Sequence, residues 1–173
     1  MRNLFFLYTF FICFVSCDKT YNNTPNIKVD WSKRTLKSLS KDSLQNGASY
    51  LAVYSEIYSK TEHRSHNLTA TVSIRNTNTT DSVYISKATY YNTEGKAIRN
   101  YINQPVYIAP METVEIIINE NDDEGGSGAN FIFNWSIPKK TNTPLFDAVM
   151  ISTSGQQGLS FTTQGKQLKN YDY

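Results

Sequence analysis

Thiols are nearly absent from this chain. Its 173 residues hold two cysteines, Cys13 and Cys17, both close to the start, so no disulfide framework can staple the body together and its core must hold it instead. Histidine is equally scarce, with His63 and His66 the whole supply. At strand spacing these two face opposite sides, and a zinc site needs at least a third ligand from elsewhere. They are expected as exposed hairpin residues. An excess of one charge is missing too: 17 Lys and Arg against 15 Asp and Glu leave +2, too weak a field to recruit nucleic acid or an anionic membrane by charge. No segment sustains a helical period, no internal repeat is evident, and no catalytic constellation rises above background.

Tyrosine and phenylalanine are plentiful, at 12 and 9 residues, beside many Thr, Ile and Val. These side chains suit a pleated, half-buried surface, so an all-β body is expected, large enough at this length to bury a real core.

The N-terminus has the character of an address. Arg2 supplies a minimal positive region, and the apolar run Leu4 to Val15 (LFFLYTFFICFV) is short for a membrane span but suits a signal-peptide core. Phe14-Val15-Ser16-Cys17 resembles the bacterial lipobox, with Phe14 in place of the more usual Leu. Residues 1–16 are therefore expected to be cleaved, and Cys17 to be lipidated and to anchor the protein at a cell-envelope membrane without spanning it. Residues 17–46 form an Asn-rich tether and a strap carrying Trp31, with at most a short helical turn near Leu36 and Leu39.

A series of strands with turn signals follows over 47–166. Tyr50 to Tyr58 alternates imperfectly. His66 to Arg75 alternates cleanly, with Leu68, Ala70, Val72 and Ile74 on one face. Val83 to Asn92 slips in parity near Ser86 and Lys87, which predicts a bulge, and Asn92-Thr93-Glu94-Gly95 predicts a turn. Short strands are expected at Ala97 to Tyr101, Val106 to Ile108 and Thr113 to Asn119. Phe131, Phe133, Trp135 and Ile137 share one parity and make the most aromatic core face. Leu145 to Ile151 is nearly continuous apolar, which predicts a central strand covered on both sides, and Leu159 to Thr163 is a last strand before a polar tail from Gly165, with residues 167–173 outside the domain. The pattern argues an immunoglobulin-like two-sheet β-sandwich, with a small β-barrel as the alternative.

The blocks VYSEIY (53–58), LTATVSIRNT (68–77), YYNTEGKAIRNY (90–101), GGSGANFIFNW (125–135) and AVMISTSGQQGLSFTTQGK (148–166) resemble an uncharacterised bacterial envelope family, domain of unknown function 3124. The resemblance implies a shared fold and an envelope setting, and supplies no activity or catalytic residue.

Candidate chemistry concentrates in the stretch Asn119 to Trp135, where Glu120, Asp122, Asp123 and Glu124 run into Gly125, Gly126 and Gly128. Those carboxylates, with amide oxygens of Asn119, Asn121 and Asn130, are hard donors of the kind calcium takes, although the spacing is not that of an EF-hand. The bland reading is a solvated acidic turn. The glycines could form an anion nest, which adjacent carboxylates oppose, and Gly125-Gly126-Ser127-Gly128 comes within one residue of the G-x-S-x-G elbow, which requires a following helix. Tyr50, Tyr54 and Tyr58, or Tyr84, Tyr90 and Tyr101, could form an aromatic surface for glycan or peptide, or simply pack on a sheet. Asp42-Ser43-Leu44 and Asp81-Ser82-Val83 resemble a short O-glycosylation signal, and Asn22, Asn67, Asn78 and Asn134 head N-x-S/T triplets of little meaning in a bacterial lipoprotein. The expectation is a non-enzymatic, lipid-anchored binding or structural module that meets an envelope protein or glycan, with no cofactor and no nucleic acid. The alternative is a metal-dependent or hydrolytic enzyme centred on 119–130.

Overall fold

Alternation of apolar and polar positions is realised as antiparallel strands in the computed structural model, which describes residues 29–39, 43–153, 158–169 and 171. In chain order these strands are β1 (Leu44–Ala52), β2 (Glu56–Ser59), β3 (Thr61–Asn67), β4 (Thr69–Arg75), β5 (Val83–Tyr91), β6 (Ala97–Ile102), β7 (Val106–Ile108), β8 (Thr113–Ile118), β9 (Asn130–Pro138), β10 (Leu145–Ser152), β11 (Leu159–Gln164) and β12 (Lys166–Leu168). One sheet runs β12-β1-β9-β5-β6, with β7 also paired to β5. The other runs β11-β10-β4-β8, and β2 and β3 form a separate hairpin. The two main sheets end in distinct edges and do not close on one another, so the body is a β-sandwich and not the barrel. Cys17, Asn22, Asp42 and the leader lie outside the described residues, and no helix among the described residues is long and apolar enough to cross a membrane.

The core sits where the two inner faces meet. Phe131, Phe133, Trp135 and Ile137 of β9 are all buried, as their shared parity predicts. The Phe133 ring stacks on Phe131 at 5.3 Å and on Phe146 of β10 at 4.3 Å, which ties the sheets face to face. Each such ring contributes roughly 1.5–3 kcal/mol by leaving water. Trp135 donates its indole N–H to the Ser49 hydroxyl at 3.0 Å, so its one polar atom is satisfied inside the core.

Some of the local expectations hold and several are corrected. The single strand expected over 50–58 is two pieces: β1 starts at Leu44 and ends at Ala52, because the Val53 N–H leaves the ladder and donates to the Ala129 carbonyl at 2.9 Å. His66 to Arg75 keeps its predicted parity but breaks at Leu68, whose N–H donates to the Ser55 carbonyl at 2.8 Å. Both histidines fall on the β2–β3 hairpin, His63 well exposed. The parity slip near Ser86 is a register shift between Ile85 and Lys87 against β9. The strap turns as a 3-10 segment at Trp31–Arg34, ahead of the expected position at Leu36 and Leu39, because Asp30 caps it by accepting from the Ser32 N–H. The polar tail begins inside a strand, since Lys166–Leu168 pairs with β1.

Strand β10 corrects the expectation most. It is central in its sheet, but its buried residues are confined to one parity, Phe146, Ala148, Met150 and Ser152. Leu145, Val149 and Ile151 are 51%, 38% and 41% exposed. The continuous apolar run is therefore covered on one side only among the described residues. Register places Val149 beside Thr71 and Thr71 beside Ile117, a Val, Thr and Ile row on the outer face of this sheet; the next row sets Ser73 between Asp147 and Glu115, and Arg75 is ion-paired to Asp147.

Two asparagines tie one end of the sandwich. The Asn76 amide donates to the carbonyls of Asp81, Ile108 and Ala109 at 2.8, 3.1 and 3.0 Å. Its oxygen accepts from the Asn78 backbone and side chain, both at 2.9 Å, and Asn78 exchanges two bonds with the Asn142 backbone. Both asparagines are buried, and three loops are joined through them. Asn78, a head of an N-x-T triplet, is thus part of the interior.

Candidate functional site: the acidic loop and the open flank

The acidic stretch leaves the end of β8 in one sheet and crosses to β9 in the other. Asn119 starts it as an Asx turn, its side-chain oxygen accepting from the Asn121 N–H at 3.0 Å and its carbonyl from the Asp122 N–H at 2.9 Å. The four carboxylates then divide. Asp122 accepts from Arg99 of β6 at 2.5 and 3.4 Å, and Glu124 accepts from the same guanidinium at 2.8 Å. Arg99 also donates to the Tyr101 hydroxyl at 2.7 Å. The bond to Asp122, against the cost of partial burial, raises the already high Arg99 pKa further, so the cation is permanent. Burial pushes the Tyr101 phenol up, opposed by its bond to Arg99. Glu120 and Asp123 form no ion pair among the described residues, and no group of three or more His, Cys, Asp or Glu converges there. An arginine thus occupies the place that the carboxylate spacing suggests for a cation.

The glycines answer to packing and to backbone capture. Gly126 has φ +71°, a conformation that costs other residues energy. The Gly125 carbonyl accepts from the Thr93 N–H and hydroxyl at 3.0 and 3.1 Å, and the Gly126 carbonyl accepts from the Ser55 N–H and hydroxyl at 3.3 and 3.1 Å. The N–H groups that an anion nest would need are already donated, Gly126 to the Asp123 carbonyl and Gly128 to the Thr93 hydroxyl at 2.9 Å. Ser127 lies in a three-residue 3-10 turn that enters strand β9, so the strand-to-helix elbow is not built. Beneath Gly125 the fully buried Tyr90 stacks on Phe131 at 4.8 Å, and burial pushes its phenol up to about 12 against a smaller pull from Ser55. Its hydroxyl forms no hydrogen bond among the described residues, because the nearby Ser55 hydroxyl donates to the Gly126 carbonyl instead.

The tyrosines do not form an exposed platform: Tyr90 and Tyr101 meet edge-on at 6.5 Å, but Tyr90 is fully buried. Tyr54 packs edge-on against Phe161 at 5.7 Å, Tyr50 and Tyr58 are exposed, and Tyr90 is interior. Tyr101 instead joins Tyr107 in a different feature, a groove of about 940 Å³ on the flank where β8 faces the β6–β7 edge of the other sheet. Its far wall is the strap, with Trp31 and Arg34. The strap is clamped: Arg34 holds Glu112 through two bonds at 2.7 and 2.5 Å and lies 5.8 Å over the Tyr107 ring, while Thr35 bridges Val106 and the Leu36 N–H donates to the Pro105 carbonyl at 2.8 Å. Arg34 holds the Glu112 carboxyl below the usual range against the cost of partial burial, with help from the Ala109 N–H. The volume lies within the range of ligand pockets.

The near wall of the groove is the backbone of β8. Asn76 donates its N–H to the Glu112 carbonyl, and the register from Val114 opposite Ile74 to Ile118 opposite Ala70 makes the even-numbered residues the hydrogen-bonded pairs. The N–H and C=O groups of Thr113, Glu115 and Ile117 therefore point away from β4 into the groove, and among the described residues no backbone partner meets them. Sequence reasoning did not find this flank, because its walls come from four separate segments. One signal was available: Arg99 and Tyr101, two apart on one strand, must share a face.

A family model described as "Protein of unknown function (DUF3124)" matches residues 46–168. Curated proteins give no match. Among solved structures, "Crystal Structure of Thermotoga maritima 1070" is similar at 12% identity and a TM-score of 0.45, over 69% of this chain and 92% of that one.

Proposed function

This chain belongs to the DUF3124 family of proteins of unknown function, and on that premise we propose that it is a non-enzymatic binding module of the bacterial cell envelope, tethered by lipid at Cys17. Its open flank, between β8 and the strap, receives an envelope partner. One observation carries the proposal: the backbone of Thr113, Glu115 and Ile117, unpaired among the described residues, lines a groove whose other surfaces are Trp31, Tyr101 and Tyr107. Aromatic bodies beside unsatisfied backbone groups suit capture of a partner better than chemistry on one. The enzyme alternative draws no support from its proposed centre, where Asp122 and Glu124 already neutralise Arg99.

The test is site-specific photo-crosslinking in cells, with the photoreactive residue at 115 and a control at the exposed Lys87 on the other sheet. A discrete adduct from position 115 that is absent from the control supports the reading, and no adduct from either sinks it. Cys17→Ala tests the tether separately: it should abolish labelling by a fatty-acid analogue, and undiminished labelling removes the lipid anchor.

A further inference from the structure

Resting on that reading, we infer that the partner enters the flank as an extended polypeptide segment, adding as a fifth strand to β8, and that its side chains alternate apolar with basic. Strand β8 is a regular six-residue edge with no register shift against β4, roughly 20 Å long at strand rise. Edge strands are commonly guarded by lysine, proline or a bulge, and β8 has none of these. A segment lying along it would exchange backbone hydrogen bonds with Thr113, Glu115 and Ile117, the groups that point into the groove.

The pleat then sets what that segment must carry. Residues of the added strand opposite Val114 and Ile116 share their inward face and enter the groove among Trp31, Tyr101 and Tyr107, so they must be apolar. Residues on the other parity stand beside Thr113, Glu115 and Ile117 on the outer face. Charge complementarity decides their kind. Lys33 and Arg34, the cations at the groove, are paired with Asp30 and Glu112. Glu115, and Glu120 and Asp123 just past the end of β8, have no ion-pair partner among the described residues. Arg75 is the remaining cation beside β8: it donates to the Thr113 hydroxyl and lies within reach of the Glu115 charge, but it is ion-paired to Asp147. Carboxylates at and just past β8 therefore outnumber the cations beside them, so lysine or arginine belongs opposite Glu115. The same carboxylate argues against a second copy of this chain, because pairing two β8 strands in full overlap sets Glu115 opposite or diagonal to its counterpart, where like charges repel.

The test uses the full chain in detergent and a capped nine-residue peptide of alternating valine and lysine, followed by fluorescence anisotropy. It should bind at least about tenfold more tightly than alternating valine and glutamate. N-methylation of its backbone amides at one set of alternate positions should weaken binding about tenfold, and methylation at the other set should leave it unchanged, since only one set faces β8. Glu115→Pro removes an outward N–H without breaking a bond to β4, and should lose the peptide while keeping the melting temperature. Should that variant not fold, the methylated peptides still decide the matter. Equal binding of the glutamate peptide, indifference to both methylation sets, or a concentration-dependent dimer that excludes the peptide would each overturn the inference. Peptide failure alongside a cellular adduct at position 115 refutes strand addition and leaves the binding module standing.

Discussion

The Tyr90 hydroxyl occupies the space that a side chain at Gly125 would need. One atom of a buried phenol thereby dictates a glycine in the loop above it. Gly125→Ala is expected to destabilise the fold by about 1–3 kcal/mol, the usual cost of forcing a methyl into a packed site. Tyr90→Phe removes a buried hydroxyl that forms no hydrogen bond among the described residues and should raise stability by about 1 kcal/mol. Combining the two should recover only part of the loss, because an added methyl also meets the Ala129 side chain at 2.8 Å. Denaturant melts of the four proteins check this, and an unaffected Gly125→Ala would refute the packing account.

Asn76→Ala strips hydrogen bonds from three carbonyls and from Asn78 in a buried setting. Unsatisfied buried groups cost about 1–3 kcal/mol each where water cannot reach them, so a loss of about 3 kcal/mol is expected. Loosening should show first as faster amide exchange in the loops around Asp81, Ala109 and Asn142.

The strap should be sensitive to acid. Arg34 holds the Glu112 pKa below its unfolded value, so its contribution is complete above the unfolded carboxylate range and disappears as pH falls through the lower folded value. Trp135 is buried and Trp31 is part of the strap, so acrylamide quenching of tryptophan fluorescence reports the strap. Quenching should rise below about pH 4. In Glu112→Gln it should be high at neutral pH and flat with acid, and an acid response equal to wild type would exclude Glu112 as the cause.

Melting curves in millimolar calcium and in chelator are expected to superimpose, because Asp122 and Glu124 are already ion-paired to Arg99. A melting temperature that climbs with calcium would mean that the ion binds the folded state preferentially and would reopen loop 119–130 as a metal site.

Period-two patterning made the sandwich legible. Leu68, Ala70, Val72 and Ile74, and likewise Phe131, Phe133, Trp135 and Ile137, are buried as their parity requires, because burial on one face of a strand leaves a local mark in the chain. What failed was non-local. Leu145 to Ile151 has the composition of a strand buried twice, but composition cannot say whether a second layer exists. The acidic run suggested a metal because its countercharge, Arg99, lies more than twenty positions earlier on another strand. The groove left no signature for a similar reason: an edge is defined by the absence of a neighbour, a property of the assembled sheets and not of any one segment.

The strap also carries a mechanical consequence. A pull on the chain ahead of Val29 meets the Arg34–Glu112 pair, the Thr35–Val106 bridge and the single Leu36 bond before any force reaches β1. Those links load one after another, as in peeling, whereas β1 lies between β9 and β12 with rows of bonds on both sides that share the load. Tension would therefore strip one wall from the groove while the sandwich stayed whole, making the shape of the flank a gauge of the force on the proposed tether.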